Sequence, residues 1–239
     1  MGMRAVGMGA LRTIQRIIVG LRGTSMLGSV LATMSGGAVY GFCIGYSKNV
    51  LYGVRSAVKV PMLLLGTALL CALAYQVLAR LAGVALPFAS VQRASLLLFR
   101  SVALSLASLA PVSLFLGRTM VRPAGQSLGG YPGFVGINMV FLAAAGFVAL
   151  LLQTRALLVE HAVPARRARF VVVSWLVLSL LVGGQLAFHL RPFFGIASLT
   201  GEPPFCLGDE PTATGARNFY EVVGQFVVGT DLSERGKGR

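Results

Sequence analysis

Acidic residues are scarce in this chain, and those it has come late in the sequence. Seven Asp and Glu residues stand against 21 Lys and Arg, and the first acid is Glu160. Charged residues of either sign make up 12% of the chain, whereas a soluble domain carries roughly 25%. Mean hydropathy is +0.79 and 56% of the residues are apolar. This balance excludes an ordinary soluble domain and is typical of an integral membrane protein.

Motifs that carry catalysis or metal binding are also missing. The sequence has no Walker loop, no HExxH, no nucleophile elbow and no CxxC pair. Its three cysteines are isolated, with Cys43 and Cys71 in apolar segments and Cys206 in the tail. We therefore predict a non-enzymatic protein without metal or other cofactor. A lipid-headgroup enzyme would need His, Glu and Arg to converge at one membrane interface.

The formal net charge of +14 raises the alternative of nucleic-acid binding. The basic residues border apolar runs, however, and do not form a patch with interleaved aromatic residues. Such placement favours contact with anionic lipid headgroups, and we expect no nucleic-acid partner.

Membrane spans are indicated by windows without any Asp, Glu, Lys or Arg. A spanning helix needs about 20 mostly apolar residues. The windows predict an all-α fold, a polytopic transmembrane helical bundle with about five spans, at 25–46, 60–80, 95–117, 134–154 and 170–190. The stretch 48–59 is then a basic loop, and the spans hold no central ionisable residue. The resulting division is a basic amphipathic segment at 1–24, the bundle at 25–190, and an extramembrane tail with a short amphipathic helix at 191–239.

The distribution of Lys and Arg predicts the orientation of the bundle. With five spans, eleven of the cations outside the tail lie on the side of the N-terminus and five on the other. If 25–46 does not cross, the split falls to nine against seven. We expect a bacterial inner (plasma) membrane protein with a cytoplasmic N-terminus. The Arg-rich, acid-free N-terminus also suits a mitochondrial presequence, so the mitochondrial inner membrane is the alternative.

Small residues recur at every fourth position of the first segment. They are Ser25, Ser29, Thr33, Gly37, Gly41 and Gly45, and on a helix they form one continuous ridge of the glycine-zipper kind. Helices in lipid associate through close packing of small residues, because lipid tails supply little hydrophobic drive. The ridge predicts either a seam between copies of this chain or contact with another helix of the same chain.

Three polar residues inside the predicted spans are candidates for interhelical hydrogen bonds or for a polar path. They are Asn138 in the fourth span and Gln185 and His189, one turn apart, in the fifth. Hydrogen bonding between helices is the favoured interpretation. A carrier or channel for a neutral or lipidic solute would place them, with the serines of the third span, on one shared surface.

The tail contains apolar residues at helical spacing, namely Phe219, Val222, Val223, Phe226 and Val227. This pattern predicts an amphipathic helix. Its apolar face needs to lie on the bilayer, on the bundle, or on a partner protein.

Two motifs resemble those of a group of uncharacterised bacterial polytopic membrane proteins. One runs from Tyr40-Gly41-Phe42 to Lys59-Val60-Pro61, and the other is GGQLAFHLRPFFG at Gly183–Gly195. The region is also loosely similar to the Yip-domain family. That resemblance implies five packed spans, a cytosolic N-terminus and a role in membrane trafficking, and it implies no catalytic residues.

The function predicted from these features is that of a structural or accessory subunit, a scaffold of a membrane complex. Its partners would be the anionic bilayer and other membrane-protein subunits or a second copy of itself. The alternative is the carrier or channel described above.

Overall fold

The computed structural model describes residues 25–47, 49–120, 130–190 and 219–220. Five helices account for nearly all of them, and this part of the chain contains no strand. We label the helices α1 (Met26–Gly45), α2 (Val50–Leu81), α3 (Phe88–Met120), α4 (Gly130–Glu160) and α5 (Ala165–Leu190). All five are long and apolar enough to cross a membrane. The predicted all-α bundle with five spans is confirmed. The division of the chain outside the helices lies beyond the described residues.

Successive helices run in opposite directions, which gives the bundle two ends. End A holds the start of α1 and the short connections 82–87 and 161–164, and end B holds the end of α1, the start of α2 and the end of α5. The 20 residues of α1 extend about 30 Å, the thickness of the hydrocarbon layer. Its length therefore suffices for a complete span.

The helix ends are capped by side chains or terminated by residues in the left-handed backbone conformation. Ser25 Oγ accepts a hydrogen bond from the Gly28 amide at 3.0 Å, and Asn49 Oδ1 accepts one from the Tyr52 amide at 2.9 Å. At end A, α2 stops where Gly83 takes a φ of 70°, and α4 stops where Ala162 takes a φ of 49°. These left-handed residues reverse the chain and permit the short connections to α3 and α5.

The start of α2 differs from the sequence-based prediction. Residues 48–59 were predicted to form a loop, and this is wrong, because α2 begins at Val50 with Asn49 as its N-cap. Pro61 also lies inside the helix instead of near its beginning. A charged residue ends an apolar window in the sequence, but it does not end a helix. The helix continues as long as its ends are capped and its side chains are accommodated.

The largest part of the core lies on α2 and α3, with further buried residues on α1 and α4, and an aromatic contact attaches α5 to it. Tyr75 of α2 and Trp175 of α5 stack with ring centroids 4.4 Å apart. Trp175 Nε1 donates to the Tyr75 carbonyl at 3.1 Å, and the Tyr75 hydroxyl is hydrogen-bonded to Ser179 Oγ. In the most apolar stretches of α4 and α5 only 17% and 11% of the residues are buried, against 39–50% in the other helices. These two helices form the periphery of the bundle.

Candidate functional site

The small-residue ridge of α1 lies against α2 of the same chain. A Cβ added at Gly41 would overlap the Ser56 carbonyl oxygen, and one added at Gly45 would overlap that of Tyr52. At Gly37 the added atom would lie 3.3 Å from the Pro61 ring. Only glycine permits this approach of two helix backbones, so the C-terminal half of the ridge is occupied by an intrachain contact.

The N-terminal half of the ridge uses hydroxyl residues that turn back onto their own helix. Thr33 Oγ1 donates to the Ser29 carbonyl at 2.8 Å, and both residues are buried. Ser25 is exposed and serves as the N-cap described above. When a hydroxyl is hydrogen-bonded to the backbone of its own helix, the apolar atoms of the side chain face outward, which suits close packing in lipid.

Asn138 joins α4 to α1. Its Oδ1 accepts a hydrogen bond from the Tyr40 hydroxyl at 2.8 Å, and its Nδ2 donates to the Phe134 carbonyl at 2.8 Å. Both Tyr40 and Asn138 are 3% exposed. The oxygen and the nitrogen of the amide are therefore both hydrogen-bonded within the bundle. The sequence did not identify Tyr40 as the partner of Asn138.

A lysine that sequence reasoning placed in a loop is buried inside α2. Lys59 is 2% exposed and lies nine residues into the helix, about 14 Å from its start. Its neighbours Ser56 and Pro61 contact Gly41 and Gly37 of α1, so the lysine lies at the depth of that span. A charge inside a membrane span is costly and is commonly tied to function.

Lys59 lies in the half of α2 nearer end B. The prediction that the spans hold no central ionisable residue is wrong at this position, because Lys59 is buried at the depth of α1. The sequence signal was available in the N-cap residue Asn49, which starts the helix ten residues before the lysine.

Gln185 and His189 lie at the periphery, on α5. His189 Nδ1 is 2.8 Å from the Gln185 carbonyl oxygen. Both residues line a cavity of about 360 Å³ between α5, Leu70 of α2 and Tyr220. They do not share a surface with Asn138, which faces α1.

One residue of the amphipathic tail pattern is described, and it packs on the bundle. The ring of Phe219 lies over Gly184 of α5, where an added Cβ would be 2.6 Å from its Cδ1. The neighbouring Tyr220 hydroxyl donates to the Leu181 carbonyl. Val222, Val223 and Phe226, the other residues predicted to dock, lie outside the described residues.

Two other intramembrane glutamines make separate contacts. Gln153 Nε2 donates to Ser101 Oγ at 3.4 Å between α4 and α3, and Gln76 Nε2 donates to the Leu86 carbonyl at 2.8 Å. Ser105 and Ser108 of α3 are exposed on the outside of the bundle. These positions do not combine into one polar surface.

Within 25–47, 49–120, 130–190 and 219–220, no three His, Cys, Asp or Glu residues are grouped closely enough to hold a metal ion. His161 Nδ1 lies 3.0 Å from the Leu157 carbonyl at the end of α4, where it completes the helix end. The arrangement provides helix contacts, a buried amine and a peripheral cavity. Comparison with protein-family models, curated proteins and solved structures finds no match to the chain.

Proposed function

We propose that this protein is a non-enzymatic scaffold or accessory subunit of a membrane complex, and that it binds its partner through the outer face of α4. The observation that carries the proposal is that the intramembrane polar residues make separate hydrogen bonds at different places in the bundle. Asn138, Gln153 and Gln76 each make a hydrogen bond to a different part of the chain, whereas a pore would gather such groups along a common surface. A carrier would also need a shared polar path.

The outer face of α4 has the composition of a helix-packing surface. Gly136, Val140, Ala143 and Phe147 follow helical spacing, and all four are exposed. A Cβ added at Gly136 would meet no atom within 4 Å. Small residues contribute little to contact with lipid, but they let a second helix approach closely. This face therefore suits a transmembrane helix of another subunit.

The proposal is tested by affinity purification from native membranes in mild detergent, with co-purifying proteins quantified by mass spectrometry. We expect stoichiometric partners with the native protein and a loss of at least about tenfold with Gly136→Leu, since about 1.4 kcal/mol of binding is tenfold in affinity. Ser105→Leu, on the exposed side of α3, is the matched control and should retain the partners.

Two results would contradict the proposal. One is a native protein that purifies without stoichiometric partners, and the other is full retention of the partners by Gly136→Leu. Because a Cβ added at that position meets no atom within 4 Å, loss of partners at unchanged expression reports the interface and not misfolding.

A further inference from the structure

Phe219 and Tyr220 contact α5 at a depth inside the membrane span. The ring of Phe219 lies over Gly184, six residues before the last residue of α5. The Tyr220 hydroxyl donates to the Leu181 carbonyl, nine residues before that end. With a rise of about 1.5 Å per residue, these contacts lie about 9 and 14 Å from the end of the helix. Because the apolar window of the sequence also ends there, at Arg191, two residues of the tail reach the depth of the apolar layer.

Glycine at position 184 makes room for the Phe219 ring. A Cβ at this position would be 2.6 Å from Phe219 Cδ1, so the ring occupies the volume that a larger residue would need. Beside the ring, Leu70, Leu181 and Tyr220 line a groove between α2 and α5, in which Leu70 is 56% exposed and Leu181 45%. Apolar surface of the bundle therefore continues beyond the part that Phe219 and Tyr220 cover.

The sequence after Phe219 continues the apolar face at helical spacing. Three apolar residues come three, four and seven positions later and share one face of a helix with it, namely Val222, Val223 and Phe226. Two polar residues fall on the opposite face, Glu221 and Gln225. Residues 219 and 220 are helical, and 221–227 lie outside the described residues. A helix with this pattern lies in the membrane interface with its apolar face about 5–10 Å deep, which agrees with the depth of the Phe219 contact.

We propose that residues 219–227 form an interfacial helix, the strap, which docks on α5 of its own chain near end B. Phe219 anchors the strap at Gly184, its apolar face lies on the groove between α2 and α5, and its polar face meets the lipid headgroups. Because Phe219 is already seated on α5, the rest of the strap has a higher local concentration at this groove than a second copy has. The strap thereby closes the outer face of α5 to helices of other subunits, whereas a Cβ added at Gly136 of α4 meets no atom within 4 Å.

The experiment places the photoreactive residue p-benzoylphenylalanine at one tail position of the full chain, in phosphatidylcholine liposomes. Phe226 is the test position, because it shares the helix face of Phe219, and Gln225 on the opposite face is the matched control position. After irradiation, mass spectrometry identifies the peptides attached to the tail in protein of monomer mass. We expect position 226 to yield at least about fivefold more product with α2 and α5 than position 225 does, because only an apolar face gains from burial there.

Two variants remove the anchor of the strap through different residues. Phe219→Ala deletes the ring without changing α5, and Gly184→Leu puts a side chain where the ring lies. Each should lower the yield from position 226 with α2 and α5 at least about fivefold. Gly146→Leu is the control, because a Cβ there meets no atom within 4 Å, and it should leave the yield unchanged.

Equal yields from positions 225 and 226 would overturn the proposal, and so would an undiminished yield from a folded Phe219→Ala variant. Products with lipid alone would assign the segment to the bilayer, and products of dimer mass would assign it to a second copy. Either of these results would also overturn the proposal. Circular dichroism and gel filtration establish folding for each variant. The outcome is independent of partner binding on α4, because the strap lies on α5.

Discussion

A polar side chain inside a membrane span has two ways to satisfy its hydrogen bonds. It can return to the backbone of its own helix, as Thr67 Oγ1 does to the Leu63 carbonyl at 2.7 Å and Ser179 Oγ to the Trp175 carbonyl at 2.7 Å. Alternatively it can cross to another helix, as Tyr40 does to Asn138. The sequence identifies such residues but not which option each uses, because the choice depends on which helix lies opposite.

The Tyr40–Asn138 hydrogen bond supports a prediction about stability. Tyr40→Phe removes the donor and leaves Asn138 Oδ1 buried without it, so we expect a loss of about 1 kcal/mol in the free energy of unfolding. The measurement is unfolding by sodium dodecyl sulfate in mixed micelles, followed by circular dichroism. Asn138→Leu and the double variant complete a cycle, and we expect a coupling of about 0.5–1 kcal/mol.

Ser108→Ala is the control for this cycle. Its exposed hydroxyl donates to the Ser105 carbonyl of its own helix, and its removal should change the stability by less than about 0.5 kcal/mol. Zero coupling between Tyr40 and Asn138 would show that the amide does not hold α1 and α4 together. That result would return Asn138 to the candidates for a polar path.

At the scale of elements, hydropathy predicted five helices, and packing determined where they begin. The predicted spans 25–46 and 170–190 lie within a few residues of α1 and the C-terminal part of α5. The second span begins ten residues earlier than predicted, at Val50. The reason is physical, since the charge of Arg55 and Lys59 ended the apolar window without ending the backbone hydrogen bonds of the helix.

The candidate sites were predictable to different degrees, because a sequence pattern shows which residues share a helix face but not which helix packs against that face. Spacing at every fourth residue shows that Gly37, Gly41 and Gly45 share a helix face, but not that α2 covers that face. The cavity at Gln185 depends on Leu70, more than a hundred residues away in sequence, and on Tyr220 in the tail. No local pattern in the sequence contains that information.

The contact between α1 and α2 gives a prediction for the element as a whole. Gly41→Leu would force a side chain into the Ser56 backbone, so we expect the helices to separate at a cost of about 3 kcal/mol. Gly146→Leu is the matched change, because a Cβ there meets no atom within 4 Å. It should be neutral or slightly stabilising, since leucine favours a helix over glycine by about 0.8 kcal/mol.

Expression level and the thermal midpoint in detergent, measured by fluorescence-detected gel filtration, distinguish these two variants. Gly41→Leu should lower both quantities, and Gly146→Leu should leave both near the native values. Equal tolerance of the two substitutions would contradict the close approach of α1 and α2.

At the scale of the whole molecule, charge on the two ends of the bundle relates the fold to its membrane. End A carries Arg80, Arg166, Arg167 and Arg169. Arg167 Nη1 donates to the Gly83 carbonyl at 2.9 Å, which links the first turn of α5 to the connection between α2 and α3. End B carries Arg55 and Arg118, each lying over a tyrosine ring, those of Tyr52 and Tyr46. Aromatic rings beside cations are typical of a membrane–water interface. The excess of arginine at end A favours a cytoplasmic position for that end.

Cysteine labelling in intact cells tests this orientation. In a background where Cys43, Cys71 and Cys206 are serine, Thr119→Cys places one thiol at end B and Ala165→Cys places one at end A, both at exposed positions. We expect a membrane-impermeant maleimide to react with the thiol at position 119 alone, and both thiols to react once the membrane is opened by detergent. Reaction at position 165 alone would show that the orientation is the opposite one, with end A outside the cell. Reaction at both positions in sealed cells would contradict a membrane crossing between the two ends, and five spans could then not describe the bundle.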